Sequence, residues 1–115
     1  MTKIIVAGSR NFMVKDFVFK KLDEIIKGYK NVEIVEGGAK GVDYFAKQYA
    51  IEHNIPCKEF PANWNLYGRS AGILRNKDMA SYSDVLIAFY NGSRGTSNMI
   101  KEAEDKGLEI HIVEI

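Results

Sequence analysis

Four arginines carry the sharpest chemical signal in this chain. Arg10, Arg69, Arg75 and Arg94 all stand where a strand-like run has ended or the helix after it begins, whereas of the twelve lysines only Lys40 does. A planar guanidinium grips phosphate or carboxylate oxygens two at a time and an ammonium acts as a point charge, so this distribution points to bidentate anion recognition. The turns at these strand ends are glycine-rich: Gly8-Ser9-Arg10, Gly37-Gly38-Ala39-Lys40-Gly41-Val42-Asp43, and Asn91-Gly92-Ser93-Arg94-Gly95-Thr96. Bare backbone amides beside a helix N-terminus add to such a site, most naturally for a nucleotide-like ligand.

The remaining polar residues each have two readings. The amides from Gly92 to Thr96 and the Thr96 hydroxyl either address a ligand or form a tight turn with a helix cap. Asp43 either steadies a helix dipole or accepts a hydrogen bond from a ligand hydroxyl such as a ribose, and Glu36, at a strand end, has the same alternatives. Trp64 and Tyr67, close to Arg69, either stack on a base or cover the sheet edge. Neither glycine turn fits Gly-x-Gly-x-x-Gly or the P-loop, which disfavours an ordinary dinucleotide enzyme or ATPase. With His53, His111 and a single Cys57 there is no ligand set for zinc, no internal disulfide and no Ser-His-Asp arrangement, so neither metal nor cofactor is expected. Cys57 is expected to be a buried, inert thiol and His53 a core or boundary residue of its helix.

These residues need a scaffold that brings several strand ends to one edge. The apolar run Lys3 to Ala7 predicts a buried first strand. Val14 to Lys27 predicts a helix with Val14, Phe17, Val18, Leu22, Ile25 and Ile26 on its buried face. Val32 to Glu36 is a second strand, and a helix follows on Val42, Phe45, Ala46, Tyr49, Ala50 and His53. Cys57 to Phe60 reads as an edge strand, and Pro61 to Gly72, which has no clear period, as a long binding loop. A helix over Ala71 to Ser81, a central strand over Asp84 to Tyr90, a helix over Thr96 to Lys106 and an edge strand over Glu109 to Ile115 complete the chain. This alternation predicts an α/β doubly wound domain over residues 1–115, with a five-stranded parallel sheet of order 3-2-1-4-5 and helices on both faces. The topological switch then falls between strands one and four, where such sheets bind ligands.

Composition bounds the rest. At 115 residues the chain is the size of one domain, with 46% hydrophobic and 27% charged residues, and an elaborate site would need a second subunit. A formal net charge of +1 supplies no global field for nucleic acid or an anionic membrane. No tract reads as a membrane helix or signal peptide, so the expected location is cytoplasmic. Phe19 falls off its helix's apolar stripe and is a candidate for a dimer face.

The series Gly8-Ser9-Arg10, Gly37-Gly38-Ala39 with Gly41-Val42-Asp43, Trp64 with Tyr67-Gly68, Ala71-Gly72, Arg75-Asn76, Met79-Ala80, Asp84 and Ser93-x-Gly95-Thr96 resembles the SLOG superfamily, closest to its small stand-alone YspA-like (YAcAr) branch. Relatives in that superfamily include the LOG phosphoribohydrolases and the DNA-processing protein DprA. The resemblance implies a Rossmann-like sheet whose crevice binds nucleotides or nucleotide-derived ligands, often in dimers. The expected ligand is an ADP-ribose-like or cyclic nucleotide, bound by a sensor or sequestering domain. Arg10, Arg75 and Arg94 would hold its phosphates, Ser9 and Thr96 would add hydrogen bonds, Asp43 would take a ribose hydroxyl and Trp64 or Tyr67 would stack the base. Gly8, Gly37, Gly38, Arg69, Asn76, Gly92, Ser93 and Gly95 complete the candidate site. In LOG enzymes an Arg-Lys pair and a Pro-Gly-Gly-x-Gly-Thr-x-x-Glu loop hydrolyse the N-glycosidic bond. Here Arg75 matches the arginine, Asn76 replaces the lysine, Gly92, Gly95 and Thr96 match the loop, and Met99 replaces the glutamate. A thioether cannot stabilise an oxocarbenium-like state, so the alternative of a phosphoribohydrolase or nucleosidase would need a carboxylate from Glu102, Glu36 or Asp43, with Arg75 beside it. A third alternative is single-stranded nucleic-acid binding like that of DprA.

Overall fold

Ile4-Ile5-Val6-Ala7 is apolar toward both faces, and in a computed structural model describing residues 1–115 the strand it forms, β1 (Thr2–Gly8), lies in the middle of the sheet. The elements then follow as α1 (Lys15–Ile26), β2 (Val32–Glu36), α2 (Val42–Glu52), β3 (Cys57–Glu59), α3 (Trp64–Tyr67), α4 (Ala71–Tyr82), β4 (Val85–Tyr90), α5 (Arg94–Asp105) and β5 (Glu109–Glu114). All strand pairs are parallel and the order is β3-β2-β1-β4-β5, as expected. The register Ile4↔Val85 through Gly8↔Phe89 brings the ends of β1 and β4 together at the switch point.

Side-chain alternation divides the core into two layers. On one face Ile4, Val6, Ile34, Ile87 and Phe89 pack against Val18, Leu22 and Ile26 of α1 and Val42, Phe45, Ala46 and Tyr49 of α2. On the other, Ile5, Ala7, Val35, Leu86 and Ala88 pack against Met79 and Ala80 of α4 and Met99 and Ala103 of α5. Helices therefore cover both faces. The second layer uses small side chains and methionines, which lets α4 and α5 sit close beneath the switch-point edge.

Several local expectations change. Val14 is the exposed N-cap of α1 rather than a core residue. Phe19 is partly buried, edge-on to Tyr49 at 5.2 Å, so it seals α1 against α2 and is not a free surface aromatic. His53 is the exposed C-cap of α2, stacked on Tyr49 at 3.9 Å. Cys57 is exposed, at the start of the short edge strand β3. Its thiol is nevertheless pushed up to about 11, by burial of the sulfur first and then by the Glu36, Glu59 and Glu33 carboxylates, so it stays a poor nucleophile at neutral pH. The segment from Pro61 to Gly72 is not structureless: Asn63 caps α3 by accepting from the Leu66 amide, and a single 3-10 turn over Gly68–Ser70 leads into α4. No helix is long and apolar enough to cross a membrane.

Candidate functional site

The ends of β1 and β4 splay around a cleft of about 500 Å3. The end of β1 and its turn contribute Gly8, Ser9, Arg10 and Asn11, the β2–α2 turn Ala39, the first turn of α2 Asp43, and the segment leading into α4 Trp64 and Arg69. Gly72, Ile73, Arg75, Asn76 and Met79 come from α4, and Ser93, Arg94, Gly95, Thr96, Asn98 and Met99 from the start of α5. All four arginines thus reach one cleft. Gly37, Gly38, Tyr67, Gly92, Glu36 and Glu102 do not line it. Asn11 and Asn98 do and were not singled out in the sequence, because an isolated asparagine carries no spacing signal.

The arginines are not equivalent. Arg10, Arg69 and Arg94 are exposed and have no protein acceptor within hydrogen-bonding reach. Arg75 is built into the wall: Nη1 donates to the Gly37 carbonyl at 2.6 Å and to the Phe60 carbonyl at 3.5 Å, and Nε donates to Asn76 Oδ1 at 3.0 Å. Asn76 passes the connection on, donating through Nδ2 to Asn98 Oδ1 at 2.9 Å, and Asn98 in turn donates to Glu102 Oε2 at 3.5 Å. Lys77 closes the chain on Glu102 Oε1 at 3.2 Å. This places Glu102, 4% exposed, behind Asn98 with both oxygens engaged, one turn too far along α5 to meet the cleft.

The two glycine turns differ in the same way. Gly37, Gly38 and Ala39 present three amides, but all are taken by the protein's own carboxylates: Gly37 and Ala39 donate to Asp43 Oδ2 at 3.2 Å each, and Gly38 donates to Glu36 Oε1 at 2.7 Å. That turn holds internal anions. At the start of α5, by contrast, the N-cap is Ser93 rather than Thr96, and no side chain caps the first-turn amides, since Ser93 Oγ bonds Thr96 Oγ1 at 2.8 Å instead. The positive end of a twelve-residue helix dipole therefore opens on the cleft. Gly41 allows the other wall to close: a Cβ there would lie 2.5 Å from the Ser9 carbonyl oxygen, which accepts the Val42 amide at 3.4 Å, and its φ of +73° suits glycine alone.

Asp43 is the one carboxyl in the cleft lining. Burial pushes it up to about 6, against the opposing pull of the Ala39 and Gly37 amides and the Arg75 guanidinium. Glu36, 1% exposed, is pushed up to about 7 by burial and by the Glu59 and Asp43 carboxylates, against the Gly38 amide. Met99, 1% exposed, lies on the cleft floor within the second core layer. Trp64 is half exposed at the rim, its ring against Gly72.

A doubly wound parallel sheet with an arginine-lined cleft at its switch point defines a Rossmann-like α/β domain. Within that class, the chain belongs to the YspA, cpYpsA-related SLOG family (YAcAr), whose family match spans residues 2–67. It is 31% identical over 118 residues to the Gene 61 protein of Mycobacterium phage D29, covering 96% of this chain and 94% of that protein. In structure it is similar to DNA processing protein A (DprA) of Streptococcus pneumoniae, with a TM-score of 0.77 and 18% identity over 97% of this chain. It spans only 50% of that protein. The DprA structure from Helicobacter pylori, a protein with a single-stranded DNA binding mode, is similar with a TM-score of 0.75 and 17% identity, over 96% of this chain and 64% of the other. These two likenesses establish the shared fold.

Proposed function

We propose that the cleft binds a phosphate-bearing nucleotide or nucleotide-derived ligand, of the ADP-ribose or cyclic-nucleotide kind, and that the chain acts as a sensor or sequestering domain. The observation that carries this reading is the gathering of three acceptor-free guanidinium groups, Arg10, Arg69 and Arg94, around the uncapped N-terminus of α5. Like charges held in one cleft with nothing to neutralise them repel each other, and an anionic ligand relieves that cost while accepting bidentate hydrogen bonds. Trp64 and Ile73 at the rim supply an apolar surface for a base, and Asn11, Asn98 and Asp43 supply partners for ribose or base edges.

Binding is favoured over hydrolysis by the chemistry of the acids. Asp43 has one oxygen committed to two backbone amides, Met99 offers no charge, and Glu102 is engaged elsewhere. A glycosidic cleavage needs a carboxylate free to face the anomeric carbon or orient water. The test is a thermal-shift screen against nucleoside monophosphates, ADP-ribose, NAD and cyclic nucleotides, followed by chromatography of each ligand. A ligand at about a hundredfold over its dissociation constant adds about 2.7 kcal/mol of apparent stability. A shift with intact ligand supports the proposal; free base appearing afterwards moves the reading to a hydrolase.

A second reading, single-stranded nucleic acid, is favoured by the exposed Trp64 and Tyr67 close to Arg69, since exposed aromatics stack on bases. It predicts a steep fall of affinity with salt, about one power of concentration per phosphate neutralised. The homodimer implied by the resemblance belongs to the same proposal, and sedimentation of the purified chain reads it directly.

A further inference from the structure

Glu36 ends β2 at the same level as Glu59 ends β3, the two being paired in register. Glu36 Oε1 accepts from the Gly38 amide, while Oε2 is buried without any hydrogen-bond partner. A fully buried carboxylate oxygen with no donor is costly when ionised and harmless when it carries the proton, because it can then donate to the neighbouring carboxylate. The turn that Glu36 grips is the one whose Gly37 carbonyl takes the Arg75 guanidinium and whose Gly37 and Ala39 amides take Asp43. Arg75 and Asp43 both line the cleft, and Glu36 does not.

We propose that Glu36 is a positioning residue for the cleft: its carboxyl sets the Gly37-Gly38-Ala39 turn, and through that turn the Arg75 guanidinium and the Asp43 carboxyl, differently with and without a proton. The charged groups around it agree on the direction. Glu59 from β3 and Asp43 from α2 both oppose its ionisation, as does burial, and Gly38 alone favours it. Lys47 of α2 answers Glu59 at 3.5 Å, Arg75 of α4 answers Asp43, and Cys57 of β3 is itself raised by Glu36. From β1 the one ionisable residue, Lys3, is paired in register with Glu33 at the far end of β2. Ionising Glu36 therefore adds a third negative charge to a cluster beside the cleft. An anionic ligand favours the protonated form, so its affinity falls as pH rises through neutrality. This last step rests on the cleft binding anions; the positioning itself does not.

The test is an NMR titration of the whole chain from about pH 5 to about pH 8.5, for wild type, Glu36→Gln and Glu59→Gln. In wild type the Gly37, Gly38 and Ala39 amides and the Arg75 Nε–H should shift together with a midpoint about 7. Glu36→Gln should lose the phase near 7, most directly at Gly38, and keep only the lower phase of Asp43, which holds the Gly37 and Ala39 amides. Glu59→Gln should move the Glu36 phase to lower pH. Absence of the phase in wild type, its persistence in Glu36→Gln, or turn amides moving while Arg75 stays still would each overturn the proposal. The binding arm uses ADP-ribose, whose diphosphate diester lacks the ionisation near pH 6 of a phosphate monoester. Its dissociation constant should rise about threefold between pH 6 and pH 8 in wild type and clearly less in Glu36→Gln, where only the Asp43 carboxyl of the cleft still titrates; equal profiles in the two proteins contradict the linkage. Failure to bind ADP-ribose at any pH counts against the ligand reading alone, and the titration still decides the role of Glu36.

Discussion

Arg75 and Gly37 fit one another: the guanidinium Nη1 donates to the Gly37 carbonyl at 2.6 Å, and a Cβ on Gly37 would overlap that same nitrogen. The contact joins α4 to the end of β2 across the cleft wall. Glycine is needed here for close approach alone, since its φ is not positive. The arginine that the sequence pattern most tempts one to assign to a phosphate is therefore also a structural strut.

This divides the arginines by experiment. Arg75→Ala should lower unfolding free energy by on the order of 1–3 kcal/mol, because it leaves the Gly37 carbonyl and the Asp43 carboxyl without their charged partner. Arg10→Ala, at an exposed residue with no acceptor, should change stability by no more than about 0.5 kcal/mol yet weaken ligand binding by roughly 1.5–3 kcal/mol. Chemical denaturation together with calorimetric titration reads both quantities. Equal stability losses in the two variants would show that the distinction is wrong.

Gly37→Ala provides a complementary probe from the other partner. The added methyl must push the guanidinium off the carbonyl, costing roughly 1–3 kcal/mol of stability by overpacking, and the Arg75 Nε–H resonance should move with it. Gly95→Ala, where a Cβ meets nothing within 4 Å, is the control and should leave stability close to wild type. A Gly37→Ala protein as stable as wild type would contradict the geometry described for this wall.

The raised carboxyls make stability depend on pH in a defined direction. Glu36 binds its proton more tightly folded (about 7) than at its ordinary value of 4.5, and Asp43 (about 6) more tightly than at 3.8. The folded state holds the extra protons inside those windows, so stability falls as pH rises from about 4 to about 7 and levels off above. Glu36→Gln removes its share. It should be more stable than wild type at pH 8 by on the order of 1–3 kcal/mol and close to wild type near pH 4.5, as read by urea unfolding at the two pH values. A variant less stable than wild type at pH 8 would mean that the carboxylate's bond to Gly38 outweighs its burial.

The sheet order was legible because the strands differ in kind: Ile4 to Ala7 and Val85 to Phe89 are apolar on both faces and must be central, whereas the short β3 and the polar alternation of β5 can only be edges. The gathering of the arginines was legible for the same reason, since parallel strands deliver their following loops to one edge. What each loop does there was not. The amides of Gly37 to Ala39 looked like an anion cradle, and only the fold shows that Asp43 and Glu36 already fill it. Local helix signals misled where tertiary contacts decide, as at Asn63, whose cap makes α3 within an aperiodic stretch, and at Phe19, whose partner Tyr49 lies on another helix. Glu102 looked available by its spacing from Met99, but its engagement by Lys77 depends on how α4 packs on α5.

The central claim is that Arg10, Arg69 and Arg94 together form the anion site at the start of α5, and calorimetric titration of ADP-ribose into wild type and into the Arg10→Ala/Arg94→Ala pair tests it most directly. The account predicts saturable binding to wild type, with the ligand recovered intact, and a loss on the order of a hundredfold or more in the folded double variant, the sum of two charge-assisted hydrogen bonds. Binding of equal strength in the two proteins would contradict it and place the ligand elsewhere on the molecule.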